Sequence, residues 1–152
     1  MLIDEGLELL SEEDAWALVQ AEDLGRVGVS LSALPAIFPV NYVVLDGAIH
    51  FRTSPGSKLS AASANAIVAF QVDQHDRRER TGWSVLIVGL AEVVHDVGLA
   101  ARAAAAGLAP YADGRRGSLV RVRPELVSGR RIVHADGVGD VAAPEAVSGG
   151  RR

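Results

Sequence analysis

The stretch Arg52-Thr53-Ser54-Pro55-Gly56-Ser57-Lys58 concentrates the groups with which proteins hold a phosphate. Thr53, Ser54 and Ser57 bring hydroxyls, Arg52 a forked guanidinium and Lys58 a compact ammonium. Among fifteen lysines and arginines Lys58 is the only lysine, so a chain that otherwise carries its positive charge on arginine places its one point charge here. Ser54 is expected as an N-cap and Pro55 as the first helical residue, where a missing amide hydrogen costs nothing, with "GSKLSAASAN" continuing as a short helix. Such a helix start turns unpaired amides and the positive end of a dipole toward the same small volume. The alternative is that Ser54 only caps a helix whose cations stay solvated. No GxxxxGK[ST] loop and no GxGxxG turn occurs, so no nucleotide motif names the ligand.

Other residue types offer less chemistry. His50, His75, His95 and His134 are scattered without ligand spacing, which leaves no metal site and no obvious axial ligand for haem. The absence of cysteine removes disulfides, thiolate nucleophiles and Cys-held metals. No GxSxG context activates a serine. "DQHDRRERTGW" gathers charge between two apolar runs and reads as a solvated loop, with a lid over a ligand as the alternative.

The elements that must position these residues are mostly strands. "SEEDAWALVQAEDLG" opens with Ser11 and has Asp14 three residues on, predicting a capped helix of about three turns that ends near Gly25, with Trp16 in the core. Short β-rich runs follow: "RVGVSL", "PAIFPVNYVVLDGAIHFR" with a strand ending at Phe51, "AIVAFQVD" and "WSVLIVGLAEVVHD". Asp46-Gly47 predicts a two-residue type I′ hairpin. In "SVLIVGLAEVV" the residues Val85 to Val88 are apolar in succession, so both faces are expected to be buried, one in the barrel and the other against a second subunit or a helix of the same chain. "VGLAARAAAAGL" predicts a helix stopped by Gly107, and "SLVRVRPELV" a strand with Arg121 and Arg123 on one face. Beyond His134 the sequence is poor in bulky apolar residues, and residues 135–152 are expected to form a flexible tail. The sum is an α+β domain on an antiparallel sheet of about six strands, closed or partly closed as a barrel, with two or three short helices.

At 152 residues the chain is expected to form one domain. A formal charge of −4 argues against nucleic acid as a partner. No apolar run reaches the roughly 18–20 residues of a membrane span, and acids stand where a secretory signal would be basic; a cytoplasmic protein is expected.

The segments "LGRVGVS … PAIFPVNYVVLDGAIHFRTSPGSKLSAA … AIVAFQVD … TGWSVLIVGLAEVV … VRVRPELVSGRRI" resemble, in their order over about residues 10 to 133, the FMN-binding split-barrel proteins related to pyridoxamine 5′-phosphate oxidase, in particular the compact bacterial branch with the nitroimidazole-resistance-like reductases. The resemblance implies an FMN-binding split-barrel domain over residues 1–134, paired in a homodimer with the cofactor at the subunit interface. It assigns the flavin phosphate to Thr53, Ser57 and Lys58 with Arg52 adjacent, and the isoalloxazine ring to Pro39, Val40, Asn41 and Tyr42. Ser84, with Trp83, at the start of the long strand, would reach the flavin; in "SGRRI" Arg130 or Arg131 would stand near a ligand, Arg130 being the choice for the N1–C2=O edge, with a solvated strand end as the alternative. It further implies an oxidoreductase that acts on a small organic substrate with a nicotinamide donor, or else a non-catalytic carrier of flavin, F420 or haem. The turn reads "GSK" where the oxidase itself has a longer Arg-Lys pair, and that oxidase's C-terminal substrate motif is missing, so vitamin B6 oxidation is not expected.

Overall fold

The computed structural model describes residues 2–4, 6–109 and 117–133; the expected domain end at 134 and the tail beyond it lie outside the described residues. The elements in order are β1 (Leu2–Asp4), β2 (Leu7–Leu10), α1 (Glu12–Gln20), β3 (Leu24–Leu31), β4 (Leu34–Leu45), β5 (Ala48–Thr53), α2 (Lys58–Ala62), β6 (Ala66–Asp76), β7 (Thr81–Val94), α3 (Val97–Ala105) and β8 (Ser118–Ile132).

Period-two alternation decides which face of each strand is buried. Val27 and Val29 of β3, Val68, Phe70 and Val72 of β6, and Val85 and Ile87 of β7 all point inward and are almost completely buried. Their row closes on itself: β5, β4, β3, β6 and β7 pair antiparallel in turn, and β8 pairs with both β7 and β5. This ring is the expected six-stranded split barrel. Two further strands, not expected from the sequence, extend it. β2 pairs with the far end of β8 from Leu7–Ile132 to Leu10–Gly129, and β1 pairs with β2. α1 contributes Ala15 and Val19 to the core, with Trp16 packed against it.

Several local expectations meet the structure directly. Ser11 caps α1 by accepting the Asp14 amide at 3.1 Å. Asp46 and Gly47 both take positive φ, 52° and 69°, as a type I′ turn requires. α3 ends just before Gly107, and Arg121 and Arg123 share one acceptor, Glu92. α1, however, stops at Gln20 and not near Gly25. Leu24 and Gly25 already pair with Asn41 and Val40 of β4, and a Cβ on Gly25 would stand 2.5 Å from the Phe70 ring, so this glycine serves a close strand packing and not a helix end. β5 runs on through Thr53, two residues beyond the expected end at Phe51.

On β7 the expected inner face is buried and the intramolecular-helix cover of the outer face is not found among the described residues. Val85 and Ile87 are fully buried, but Leu86 is 37% exposed on the outer face. No helix covers it. α3 packs elsewhere, on Val43, Leu45, Val94 and Leu119. The described residues include no helix long and apolar enough to cross a membrane.

Candidate functional site

The site begins where two strands part. β4 pairs with β3 from Leu34 to Asn41 and with β5 only from Tyr42 to Leu45. Past the Tyr42–Phe51 pair, no strand of the described residues lies between the β4 edge at Phe38–Asn41 and the β5 end at Arg52–Thr53. A cleft of about 810 Å³ opens in this fork. Its lining includes Phe38 to Val43 on β4, Arg52, Thr53 and Ser54 after β5, Ser57, Lys58 and Leu59 at α2, and Ala106 to Ala109 after α3. That volume falls within the ~300–1,000 Å³ typical of small-molecule sites.

The turn at its base is built differently from the expectation. Ser54 is not the N-cap and Pro55 is not the first helical residue. Gly56 has φ +71°, and the Ser57 amide donates to the Ser54 carbonyl at 3.1 Å, so Ser54-Pro55-Gly56-Ser57 is a type II turn with proline and glycine at its two central positions. A left-handed residue at Gly56 cannot continue a helix. Ser57 therefore caps α2, accepting the Ser60 amide at 3.1 Å, and Lys58 becomes the first helical residue.

Thr53 carries the strongest local sign of a ligand. It continues the inward row of Ile49 and Phe51 one step past the fork, into a position that is 1% exposed, and its Oγ1 has no hydrogen-bond partner. A buried hydroxyl left unpaired costs on the order of 1–3 kcal/mol. Here it lies in the cleft wall with Ser54, Ser57 and Lys58, a donor set suited to an anion. Arg52 joins the same wall and also reaches the carbonyls of Leu108 and Gly117 at 3.5 Å.

Of the eleven residues that the resemblance assigns to the cofactor, eight meet in this cleft: Pro39, Val40, Asn41, Tyr42, Arg52, Thr53, Ser57 and Lys58. The Tyr42 hydroxyl is engaged elsewhere, donating to the Val19 carbonyl. Burial, with the charges of Glu22 and Asp23 nearby, pushes that phenol far above its usual range and keeps it neutral. Trp83, Ser84 and Arg130 do not line the cleft of their own chain. They lie at the other end of β8, where Ser84 pairs with Arg130 and accepts a hydrogen bond from Gln71 at 3.2 Å. Arg130 is exposed there. Sequence reasoning missed Phe38, which adjoins Pro39 on β4, and also Asp23 and the Ala106–Ala109 turn, which come to the cleft from segments distant in sequence. Gly107, read only as a helix stop, was the available sign for that turn.

The charged hairpin after β6 is a solvated turn, with Asp76 accepting the amides of Arg78 and Glu79. His50 is buried on the face of the sheet that α3 covers, opposite Val43 and Arg121. Its Nδ1 lies 3.1 Å from the Ala48 carbonyl and Nε2 is unpartnered.

The fold is an antiparallel split barrel with a polar-lined cleft in its open fork. Comparison with known proteins makes this particular: the sequence profile of the pyridoxamine 5′-phosphate oxidase family matches residues 11–131, and the chain belongs to that family. It is 40% identical over 129 residues to the uncharacterised protein Rv0080 of Mycobacterium tuberculosis, covering 82% of this chain and 84% of that one. Among solved structures it resembles an FAD-binding protein from Mycobacterium smegmatis (TM-score 0.72, 37% identity, 83% of this chain and 98% of that one). It also resembles a putative pyridoxamine 5′-phosphate oxidase from Corynebacterium glutamicum (TM-score 0.70, 31% identity, 87% and 98%).

Proposed function

We propose that the fork cleft binds the FMN moiety of a flavin nucleotide and that the protein is a flavin-dependent oxidoreductase for a small organic substrate with a nicotinamide donor. The observation that carries the reading is the buried, unpartnered hydroxyl of Thr53, a residue of a cleft wall that also holds Arg52, Ser54, Ser57 and Lys58. Membership in the oxidase family and likeness to an FAD-binding protein support it.

A bound flavin supplies hydride and electron transfer. The chain's own residues hold and surround it. Lys58 and Arg52 neutralise the phosphate, while Thr53 and Ser57 donate hydroxyl hydrogen bonds to it. The unpaired edge of β4 from Pro39 to Asn41 offers backbone groups to the polar rim of the ring. Phe38, Val40 and Leu59 supply apolar wall that excludes water and strengthens those contacts.

The working unit in this reading is a homodimer in the cytoplasm. An apolar row crosses five strands on the outer face, from Ile37 through Gly28, Ala69 and Val88 to Leu126, each opposite the next. Ile37 is 71% exposed and Leu126 51%, an expanse that a second copy would cover. Asp73, Ser84 and Arg130 lie opposite one another on that same face. A partner seated there receives Ser84 and Arg130, with Trp83 beside them, at its own cleft.

Purification and anaerobic titration test the proposal. The protein is expected to take up flavin with its visible absorbance and to bleach on adding NADPH or NADH. A protein that binds flavin but is bleached by neither donor is a carrier, and the oxidoreductase reading fails. Leu126→Glu is expected to give a monomer by sedimentation with weakened flavin uptake; a dimer that persists would refute the interface.

A further inference from the structure

Two strands precede α1 and stand outside the ring that closes the barrel. β2 pairs with the end of β8, Leu7 with Ile132 and Leu9 with Arg130. Residues opposite one another in an antiparallel ladder share a face, so these four lie on one side of the sheet. β8 carries that side on to β7, where Arg130 stands opposite Ser84 and Ile132 opposite Gly82. The residues between them turn the other way. Leu10 and Ala15 close over Gly129, where a Cβ would stand 3.0 and 3.1 Å from theirs, and Glu8 reaches Arg131 at 3.9 Å. Leu7 and Leu9 therefore extend by one strand the outer face that holds Asp73, Ser84 and Arg130. We infer that Leu7 and Leu9, with Ile132, form the substrate-side wall of the partner's fork cleft, and that the substrate is a compact apolar molecule and not a phosphorylated one. The inference rests on the proposal that a second copy seats on this face and that the cleft holds a flavin.

Whatever meets Ser84 and Arg130 also meets Leu9, which lies one strand spacing, roughly 4.8 Å, beyond Arg130. The wall is held in place: the Val133 amide donates to the Gly6 carbonyl at 2.9 Å and fastens the start of β2 to the end of β8. Its surface is unused inside the chain. Ile132 is 52% exposed, Leu7 and Leu9 are half-buried, and none of the three packs against either apolar cluster of the described residues. Arg130 is the one charge in the patch, and with Ser84 it belongs to the flavin in the proposed dimer. The cleft's own polar groups lie elsewhere as well, since Thr53, Ser57 and Lys58 gather at the phosphate end, while Phe38 and Val40 are apolar. The space between the flavin and β2 is thus bounded chiefly by hydrocarbon. A neutral ring or chain gains by leaving water for such a site. A phosphate would give up its hydration to aliphatic neighbours, which opposes binding.

Titration of the flavin-loaded protein with 2-naphthol and with 2-naphthyl phosphate, read by the flavin absorbance, tests this. 2-Naphthol is expected to perturb the spectrum and to bind at least roughly tenfold more tightly than its phosphate ester. Leu7→Gln and Leu9→Gln place an amide of similar size on the same strand face and should each weaken 2-naphthol severalfold. Flavin affinity and sedimentation as a dimer should stay as they are in both variants, which separates a lost wall from a lost fold. Tighter binding of the phosphate ester, no response to either compound, or unchanged 2-naphthol affinity in both variants overturns the inference and leaves the flavin cleft standing. A chain that takes up no flavin, or that sediments as a monomer, overturns the proposed function and the wall with it.

Discussion

The interior of the barrel and the fork between β4 and β5 are made from the same strands and do opposite things. Inside, Phe51, Phe70, Val85 and Val122 meet each other with little or no exposure and no polar group to satisfy. At the fork, one step further along the inward row of β5, the next residue is Thr53, whose hydroxyl is just as buried and has no partner. The difference teaches where binding is separated from stability. The interior satisfies its own groups, whereas the fork leaves a buried hydroxyl unpaired.

Substitutions on either side sharpen that contrast. Phe70→Ala removes a ring in edge contact with Tyr42 and should cost about 3–5 kcal/mol of unfolding free energy in a denaturant titration. A loss under about 1 kcal/mol would mean that the interior is not the stabilising half. Lys58→Ala should leave stability unchanged and weaken flavin binding roughly ten- to a hundredfold, the equivalent of about 1.5–3 kcal/mol for one charge-assisted contact. Unchanged affinity would place the phosphate elsewhere. Thr53→Val separates the two regions most directly. The ligand-free protein should keep its stability or gain about 1 kcal/mol, because an unpaired hydroxyl has been replaced by a methyl, while flavin affinity falls about fivefold. A marked loss of stability without ligand would show that Thr53 belongs to the interior after all.

The smallest expected effect concerns His50, a buried polar group outside both regions. Burial, more than the neighbouring Arg121 and Arg102 charges, holds its imidazole below the ordinary 6.5, against the opposing Ala48 carbonyl and Asp46. The unfolded chain then binds more protons than the folded one as pH drops through 6.5, so stability falls with decreasing pH until the folded-state value is passed. Denaturant midpoints between neutral pH and about pH 5 should show this slope, and His50→Gln should flatten it. An unchanged slope in that variant would assign the pH dependence to other groups.

Much of the barrel was legible because it depends on local chemistry. Alternation in "AIVAFQVD" gives the inward row of β6, Asp46-Gly47 gives the hairpin, and Ser11 and Gly107 bracket helices through caps that need only near neighbours. Where local rules competed, the sequence misled. Pro55 suits the first turn of a helix as well as the second position of a type II turn, and only the backbone at Gly56 decided between them. Gly25 looked like a helix end because its partner Phe70 lies far away in sequence.

By itself the sequence determined the residue types and the order of the strands: an apolar period of two, a single lysine, and hydroxyls gathered after β5. Only the tertiary structure decided which of those hydroxyls would be sealed without a partner, and that Ser84 and Arg130 would lie far from Lys58 within one chain. The physical reason is that an unpaired buried group and a cavity are properties of several strands at once. They arise where β4 changes partner and β8 closes the ring, and no local stretch encodes that event alone.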